Sequence, residues 1–214
     1  MKTLIVTGIL LAVLLAGWIV AGYVPTRNIE TPKYKLLSKR KNYEVRLYAP
    51  RILAEVEVSG DYTRSLNIGF RKVADYIFGN NTARVKIAMT APVLHEQKPC
   101  SENIPMTAPV LHEKSDAENL YKLAFVMPAS YKMDTIPMPN NAEVTIRDIP
   151  ESKLAVSSFG GYATFSRVER ETAKLQEALK QDNLVPAGRP VTAQYNPPWT
   201  PPFMRRNEIM VELR

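Results

Sequence analysis

The sequence predicts an α+β domain in which eight antiparallel strands form a curved sheet or a distorted β-barrel with a helix on each side. The main observation is an internal repeat in which Pro50, Gly60 and Tyr62 recur as Pro150, Gly160 and Tyr162. Each copy continues with a helical segment and then with two further strand-like segments. The sequence therefore predicts two halves of the form β-β-α-β-β, related by a pseudo-two-fold repeat.

The first two strands of each half flank a proline. Alternating apolar residues lie on both sides of Pro50 from Val45 onward, and on both sides of Pro150 from Val144 onward. Two alternating runs joined by a turn residue are typical of a β-hairpin. We therefore expect each half to begin with a local hairpin.

A helix is predicted after each hairpin. In the first half, apolar residues from Leu66 to Phe78 recur at helical spacing, and Gly79-Asn80-Asn81 ends the pattern. In the second half the same spacing runs from about Ala163 to Gln181. Two strands are then predicted to complete each half, at 84–94 and 120–127 in the first and at 190–195 and 208–213 in the second.

A second and more recent duplication lies inside the first half. The segment Ile87–Glu96 recurs almost unchanged as Ile104–Glu113. The copies either pair as neighbouring strands through the polar link 97–103, or one copy is an insertion in a loop. Pro105 lacks a backbone donor and favours an edge strand or loop for the second copy.

The N-terminal segment is apolar. No charged residue lies between Thr3 and Val24, and at about 1.5 Å per residue a helix of this length crosses a hydrocarbon core of about 30 Å. Trp18 and Tyr23 lie where interfacial aromatics occur. The absence of a convincing small-x-small site favours an uncleaved anchor over a signal segment at 1–24. A linker at 25–33 and a domain at 34–214 follow. The short N-terminal tail before the apolar run favours a periplasmic or extracytoplasmic position for the domain, whereas the positive-inside rule weakly favours a cytoplasmic one.

Composition disfavours several classes of function. The net charge of +7 is scattered without a basic stripe, so no nucleic-acid partner is expected. The single cysteine, Cys100, allows no intramolecular disulfide and no cysteine metal cluster. Neither a G-x-S-x-G motif nor a phosphate loop is present, so no catalytic residue is assigned. A strand carboxylate acting as a general base stays an alternative, with candidates Glu55, Glu57, Glu208 and Glu212.

Two histidines, His95 and His112, occupy matched positions of the recent duplication. Imidazoles at such positions are candidates to ligate haem iron or another metal, each with a following glutamate to orient it. The alternative is that both are solvent-exposed strand ends. No third histidine or cysteine ligand lies at a recognisable spacing, so the metal ligands stay unassigned.

The segment from Tyr195 to Glu208 contains four prolines and three aromatic residues. Proline fixes φ and removes a donor, so this segment is neither helix nor central strand. A stiff loop that carries aromatic side chains suits the wall of an apolar ligand site, because little entropy is lost on binding. The alternative is that these aromatics cover the edge of the core.

The chain closely resembles the SOUL haem-binding protein family, in particular a bacterial branch with an N-terminal membrane anchor. The resemblance runs from Glu30 to the end of the chain. It is carried by Glu30–Tyr34, Tyr43–Pro50, Gly69–Arg71, Tyr76–Asn81, Lys86–Val93, Phe125–Pro128 and Tyr195–Glu208. It implies a distorted β-barrel with two flanking helices, and relatedness to the effector-binding domains of some bacterial transcription regulators.

The resemblance also implies an activity, namely non-covalent binding of haem or another tetrapyrrole in an apolar cleft between the first helix and the proline-rich loop. A carrier or buffering role would follow. Some members have a histidine, proposed as iron ligand, where this chain has Leu47, and basic residues where it has Asn67 and Thr200. Contact would thus be chiefly apolar, with an arginine on the propionates. The implied binding residues are Asn67, Phe70, Arg71, Ala74, Tyr195, Trp199, Thr200, Phe203 and Arg205, with Arg206 as a further propionate partner.

Two other functions remain open from the sequence. One is an enzyme, hydrolase-like, acting on a small hydrophobic substrate in the same cleft. The other is a scaffold whose cleft binds a peptide of a partner protein.

Overall fold

A computed structural model describes residues 2–24, 27–83, 101–115 and 119–214. A curled antiparallel sheet of nine strands dominates it, so the predicted α+β class and the distorted barrel with helices are confirmed. The helices are α1 (Lys2–Tyr23), α2 (Tyr62–Ile77) and α3 (Phe165–Gln181). The strands are β1 (Tyr34–Lys39), β2 (Glu44–Tyr48), β3 (Arg51–Ser59), β4 (Asn81–Thr82), β5 (Val110–Lys114), β6 (Leu120–Val126), β7 (Met138–Pro139), β8 (Thr145–Ile149), β9 (Ser152–Phe159), β10 (Val191–Gln194) and β11 (Asn207–Glu212).

The order of strands in the large sheet reflects the internal repeat. It is β1-β2-β9-β11-β10-β5-β6-β3-β8, and a separate pair is formed by β4 and β7. The two halves occupy this order symmetrically. If β1 is left out and each strand is replaced by its equivalent in the other half, the order read from one end equals the order read from the other. The central β5 and β10 are equivalent strands that pair with each other. The ninth strand, which the repeat did not predict, is β1 at the edge.

The two expected hairpins are wrong. Strand β2 pairs with β9, and β3 pairs with β8, so the two proline-containing segments pair with each other. The register is continuous across the prolines, with Tyr48 opposite Ser152 on one side and Arg51 opposite Ile149 on the other. Proline bends a chain and interrupts its ladder without reversing it, so each segment stays extended and takes its partner from the other half.

Each helix covers its own half of the sheet. The N-cap Asp61 accepts a hydrogen bond of 2.9 Å from the Arg64 N–H and starts α2, which buries Val73, Tyr76 and Ile77 against β3 and β6. In the second half, α3 buries Leu175 and Leu179 over β9 and β11. Both helices were predicted within a few residues, because their apolar spacing is regular.

The second copy of the recent duplication supplies the central strand β5. The expected edge strand or loop is therefore wrong for Val110–Lys114, which pairs with β6 on one side and β10 on the other. Pro105 lies in the irregular stretch before the strand and removes no donor from the ladder. The first copy with its expected strand at 84–94, as well as His95 and Cys100, lies outside the described residues.

Helix α1 is long and apolar. Its window Ile5–Tyr23 has a mean hydropathy of 2.4 and is long and apolar enough to cross a membrane, a test that a signal sequence also passes. The described side chains of α1 are mostly exposed, and Gly22 near its end is buried against the proline-rich loop.

Candidate functional site

The proline-rich loop, residues 195–206, connects β10 to β11 and is fixed by a buried carboxylate. Glu208 is fully buried at the start of β11. Its Oε1 accepts hydrogen bonds from Arg46 at 3.0 Å, Arg206 at 2.7 Å and Ser158 at 3.2 Å, and its Oε2 accepts one from the Tyr195 hydroxyl at 2.6 Å. Since Tyr195 and Arg206 lie at the two ends of the loop, this network holds both ends together.

The network keeps Glu208 ionised. Burial alone would raise the pKa of its carboxyl, but the hydrogen bonds from Tyr195 and Arg206 and the charges of Arg206 and Arg46 outweigh burial and lower the pKa. Burial, followed by the charge of Glu208, raises the pKa of Tyr195, which stays a neutral donor. The Arg206 guanidinium also lies 4.2 Å from the centroid of the Tyr195 ring. Tyr195, predicted to line the site, therefore acts as part of this clamp.

Further hydrogen bonds fix the middle of the loop. Arg205 donates from Nε to the Thr200 carbonyl at 2.8 Å and from Nη2 to the Pro198 carbonyl. Its guanidinium lies 4.3 Å from the centroid of the exposed Tyr162 ring. With this backbone held, Trp199 and Phe203 are 56% and 68% exposed. Neither aromatic covers the core, so the alternative role as a core cover does not apply to these two residues.

The loop also contacts the end of α1. Trp18 Nε1 donates to the Trp199 carbonyl at 2.8 Å, and Trp199 Nε1 donates to the Ala21 carbonyl at 3.3 Å. Gly22 packs against Thr200 and Pro201. Thr200, another predicted site residue, is buried at this contact, and its Oγ1 has no hydrogen-bond partner among the residues that the structure describes.

The predicted residues of α2 lie on one side of that helix. Asn67, Phe70 and Arg71 are exposed, whereas Ala74 is buried. The Phe70 ring packs edge-on against Phe125, with 5.3 Å between ring centroids. The main contacts of α2 are with β3 and β6, whereas those of the loop are with the β9–α3 connection and α1. The structure therefore groups the predicted residues into two sets, one on each half.

His112 is buried, so the expectation of a solvent-exposed strand end is wrong for this residue. Its ring stacks on Tyr121 at 5.0 Å and meets Tyr62 edge-on at 4.9 Å. Ser65 Oγ donates to the Tyr62 carbonyl at 3.0 Å, so at the 3.3 Å contact His112 Nε2 donates to Ser65. Burial lowers the pKa of His112 to about 4, and the imidazole is neutral at neutral pH.

His112 also lines a small cavity. The cavity has a volume of about 210 Å³ and lies between α3 and the central strands. Within the described ranges, no group of three or more histidine, cysteine, aspartate or glutamate side chains could hold a metal ion. The pairing of His112 with His95 falls outside those ranges and stays a prediction.

The four glutamates considered as general bases differ in burial and in their partners. Glu55 is buried and paired with Arg147 at 2.8 Å, and Glu208 is saturated by donors. The lowered pKa of Glu208 makes its carboxylate a weak base. Glu57 and Glu212 are exposed. The role of Glu208 as a clamp was missed because its donors Arg46, Ser158 and Tyr195 are distant in sequence; the one local signal was a glutamate beside Arg206 in an apolar strand.

Comparison with known proteins agrees with this fold. Human "Heme-binding protein 2" is 28% identical over 187 residues, which cover 85% of this chain and 84% of the human protein. The mouse protein of the same name is 26% identical over 145 residues, covering 67% of this chain and 64% of the mouse protein.

Solved structures with little sequence identity share the fold. The C-terminal domain of EcmrR superposes with a TM-score of 0.56 at 8% identity, covering 85% of this chain and 98% of that domain. A structure described as a hydrolase from Listeria innocua gives a TM-score of 0.51 at 11% identity, covering 83% and 94%. The sequence matches the family model described as "SOUL heme-binding protein" over residues 29–212, and the chain belongs to this family.

Proposed function

We propose that this protein binds haem non-covalently through the exposed aromatic rings of the proline-rich loop, with the exposed side of α2 as the second set of contacts. The observation that carries the proposal is the clamped loop, which keeps Trp199 and Phe203 exposed on a fixed backbone. Large exposed aromatics on a rigid segment bind a flat apolar ligand at little cost in conformational entropy. Phe70, half-exposed on α2, contributes a third ring.

Apolar contact and propionate pairing supply the affinity in this proposal. Burying a few hundred Å² of the macrocycle at about 25 cal/mol per Å² gives several kcal/mol before association costs. Arg205 in the loop and Arg71 on α2 supply charges for the propionates, whereas Arg206 is paired with Glu208 at 2.7 Å. The iron needs no protein ligand for this mode of binding.

The apolar N-terminal helix favours a site at a membrane. We propose that α1 is an uncleaved single-pass anchor, that a linker at 25–33 follows, and that the domain at 34–214 lies on the extracytoplasmic side. The uncharged span Ile5–Tyr23 and the direct contacts of α1 with the domain support this arrangement. The protein would then hold or pass on haem close to the bilayer surface, as a carrier or buffer.

A haem titration with point variants tests the site. Haemin is added to the full chain in phospholipid nanodiscs, and the Soret band and tryptophan fluorescence are followed. Trp199→Ala should weaken binding about tenfold, or about 1.4 kcal/mol, because it removes the largest exposed ring. Phe203→Ala should have a smaller effect in the same direction.

Leu36→Ala is the control, since Leu36 is 48% exposed on the edge strand β1, outside both the loop and α2. An affinity that Trp199→Ala and Leu36→Ala change equally, or that neither changes, would contradict the loop as the site. An unsaturable absorption change with the unaltered chain would contradict haem binding itself.

A further inference from the structure

The proline-rich loop and the end of α1 form one continuous surface. Trp18 and Trp199 are joined reciprocally, because each indole N–H donates to a backbone carbonyl on the other segment. The acceptor in α1 is Ala21, in the last turn, where a helix leaves its carbonyls without intrahelical partners. The loop thus supplies a hydrogen bond that α1 lacks at its C-terminal end.

This contact fixes the depth of the loop relative to the span. Trp18 precedes the last helical residue, Tyr23, by five positions, or about 7 Å along the axis. A helix of 22 residues is about 33 Å long, slightly longer than the hydrocarbon core of about 30 Å, so its last turn lies at the boundary between the acyl chains and the headgroups. Since Trp199 is bonded to Trp18 and Ala21, it lies at this same level.

The loop has the side chains that this level favours. Trp199 and Phe203 are mostly exposed, and Tyr162, beneath the Arg205 guanidinium, is 50% exposed. Aromatic rings concentrate at the boundary between headgroups and acyl chains, and arginine reaches from there to lipid phosphates. In water these rings form an exposed apolar patch, whereas at the bilayer surface they are in a favourable environment.

We propose that the proline-rich loop lies in the headgroup region of the bilayer that α1 crosses, with Trp199 and Phe203 inserted among the lipids. The proposal rests on α1 being a membrane anchor, as proposed above, and not on haem binding. A tetrapyrrole dissolved at the lipid surface would then reach the loop without crossing bulk water.

Gly22 provides a specific way to break the contact. A Cβ at this position would lie 2.6 Å from Cδ of Pro201, a ring atom that cannot rotate away. Gly17, in the same helix, has no atom within 4 Å of such a Cβ. Gly22→Ala should therefore separate the loop from α1, and Gly17→Ala is its matched control.

The experiment uses the two tryptophans of the chain. Trp18→Phe leaves Trp199 as the single tryptophan in the full chain, which is reconstituted into vesicles of phosphatidylcholine and phosphatidylglycerol. We expect blue-shifted emission, protection from acrylamide, and stronger quenching by lipids brominated near the headgroup than by lipids brominated near the chain end. If Trp18→Phe does not insert, the difference between the unaltered chain and Trp199→Phe gives the same signal.

A reporter away from the loop provides the comparison. In a chain lacking both native tryptophans, Phe78→Trp places an indole at an exposed position of α2. Lipid quenching of Trp199 no greater than that of this reporter overturns the proposal. If Gly22→Ala and Gly17→Ala change the quenching of Trp199 equally, the contact between α1 and the loop is overturned.

A separate readout isolates the anchor. Loss of the chain from vesicles after an alkaline carbonate wash overturns the anchor and the proposal with it. Lipid quenching that persists in a protein that fails to bind haemin supports the membrane surface and contradicts only the proposed ligand.

Discussion

The two halves of the sheet each bury a polar group near the centre, and they accommodate it in opposite ways. His112 on β5 lies among aromatic rings with one hydrogen bond to Ser65, and burial keeps it neutral. Glu208 on β11 lies among arginine, tyrosine and serine donors and stays charged. A buried group therefore adjusts its protonation where partners are few, and recruits counter-charges where the chain supplies them.

The largest effect is expected from removing the charged centre. Glu208→Ala removes the fully buried counter-charge of Arg46, which then pairs only with the partly exposed Glu44, and it also removes the acceptor of Tyr195 and Ser158. We expect a loss of about 3–5 kcal/mol in the free energy of unfolding. Urea unfolding measures it. Glu57→Ala, which removes an exposed carboxylate from β3, should cost less than about 0.5 kcal/mol. Similar losses in both variants would mean that the Glu208 network contributes no more to the free energy of unfolding than an exposed carboxylate does.

The neutral centre is tested by pH. The pKa of His112 is lowered from 6.5 to about 4 by folding, so the unfolded chain binds more protons between these values. Stability is therefore full above pH 6.5 and falls as the pH drops towards 4, by about 3 kcal/mol for a shift of this size. The contribution of Glu208, whose pKa is lowered, is lost only at more acidic pH, below its unfolded value of about 4.3.

Urea unfolding at a series of pH values separates the two centres. His112→Phe keeps a ring but removes the titrating group, so it should abolish the loss between pH 6.5 and 4. The other histidine provides the control, and His95→Phe should keep that loss. A loss that persists in His112→Phe would show that another group causes it.

The smallest expected effect is the difference in stability between two serine variants. Ser65→Ala removes the acceptor of the His112 N–H and should cost about 1–3 kcal/mol, because a buried donor is left without a partner. Ser158→Ala removes one donor to a carboxylate that keeps Arg46, Arg206 and Tyr195, and should cost less than about 1 kcal/mol. Equal costs, measured by urea unfolding, would contradict the difference between the two centres.

Local patterns in the sequence predicted the elements, and the errors arose where partners are distant. Helices α2 and α3 follow from apolar spacing, and the repeat of Pro50 and Pro150 identified the two halves. The choice of strand partners did not follow, because a proline bend between alternating segments fits a hairpin and an exchange between halves equally well. The burial of His112 was missed since its packing partners Tyr62 and Tyr121 belong to other elements.

The sequence predicted which residues belong to the candidate site but not how they contact one another. The aromatic loop was recognisable from its prolines, and exposed Trp199 and Phe203 fit the expectation of available rings. The clamp formed by Glu208 and Tyr195, and the contact of Trp199 with Ala21, join residues far apart in the chain. No local pattern encodes such contacts.

The pairing of the two proline-containing segments makes the halves inseparable. Strand β2 belongs by sequence to the first half but completes the sheet of the second, and β8 does the reverse. The two halves exchange one strand each, as the subunits of a domain-swapped dimer do, but they belong to a single polypeptide. An isolated half would lack its outer strand and expose an open sheet edge, which is prone to association. The fold should therefore form only after distant segments meet, as one cooperative unit and slowly for its size.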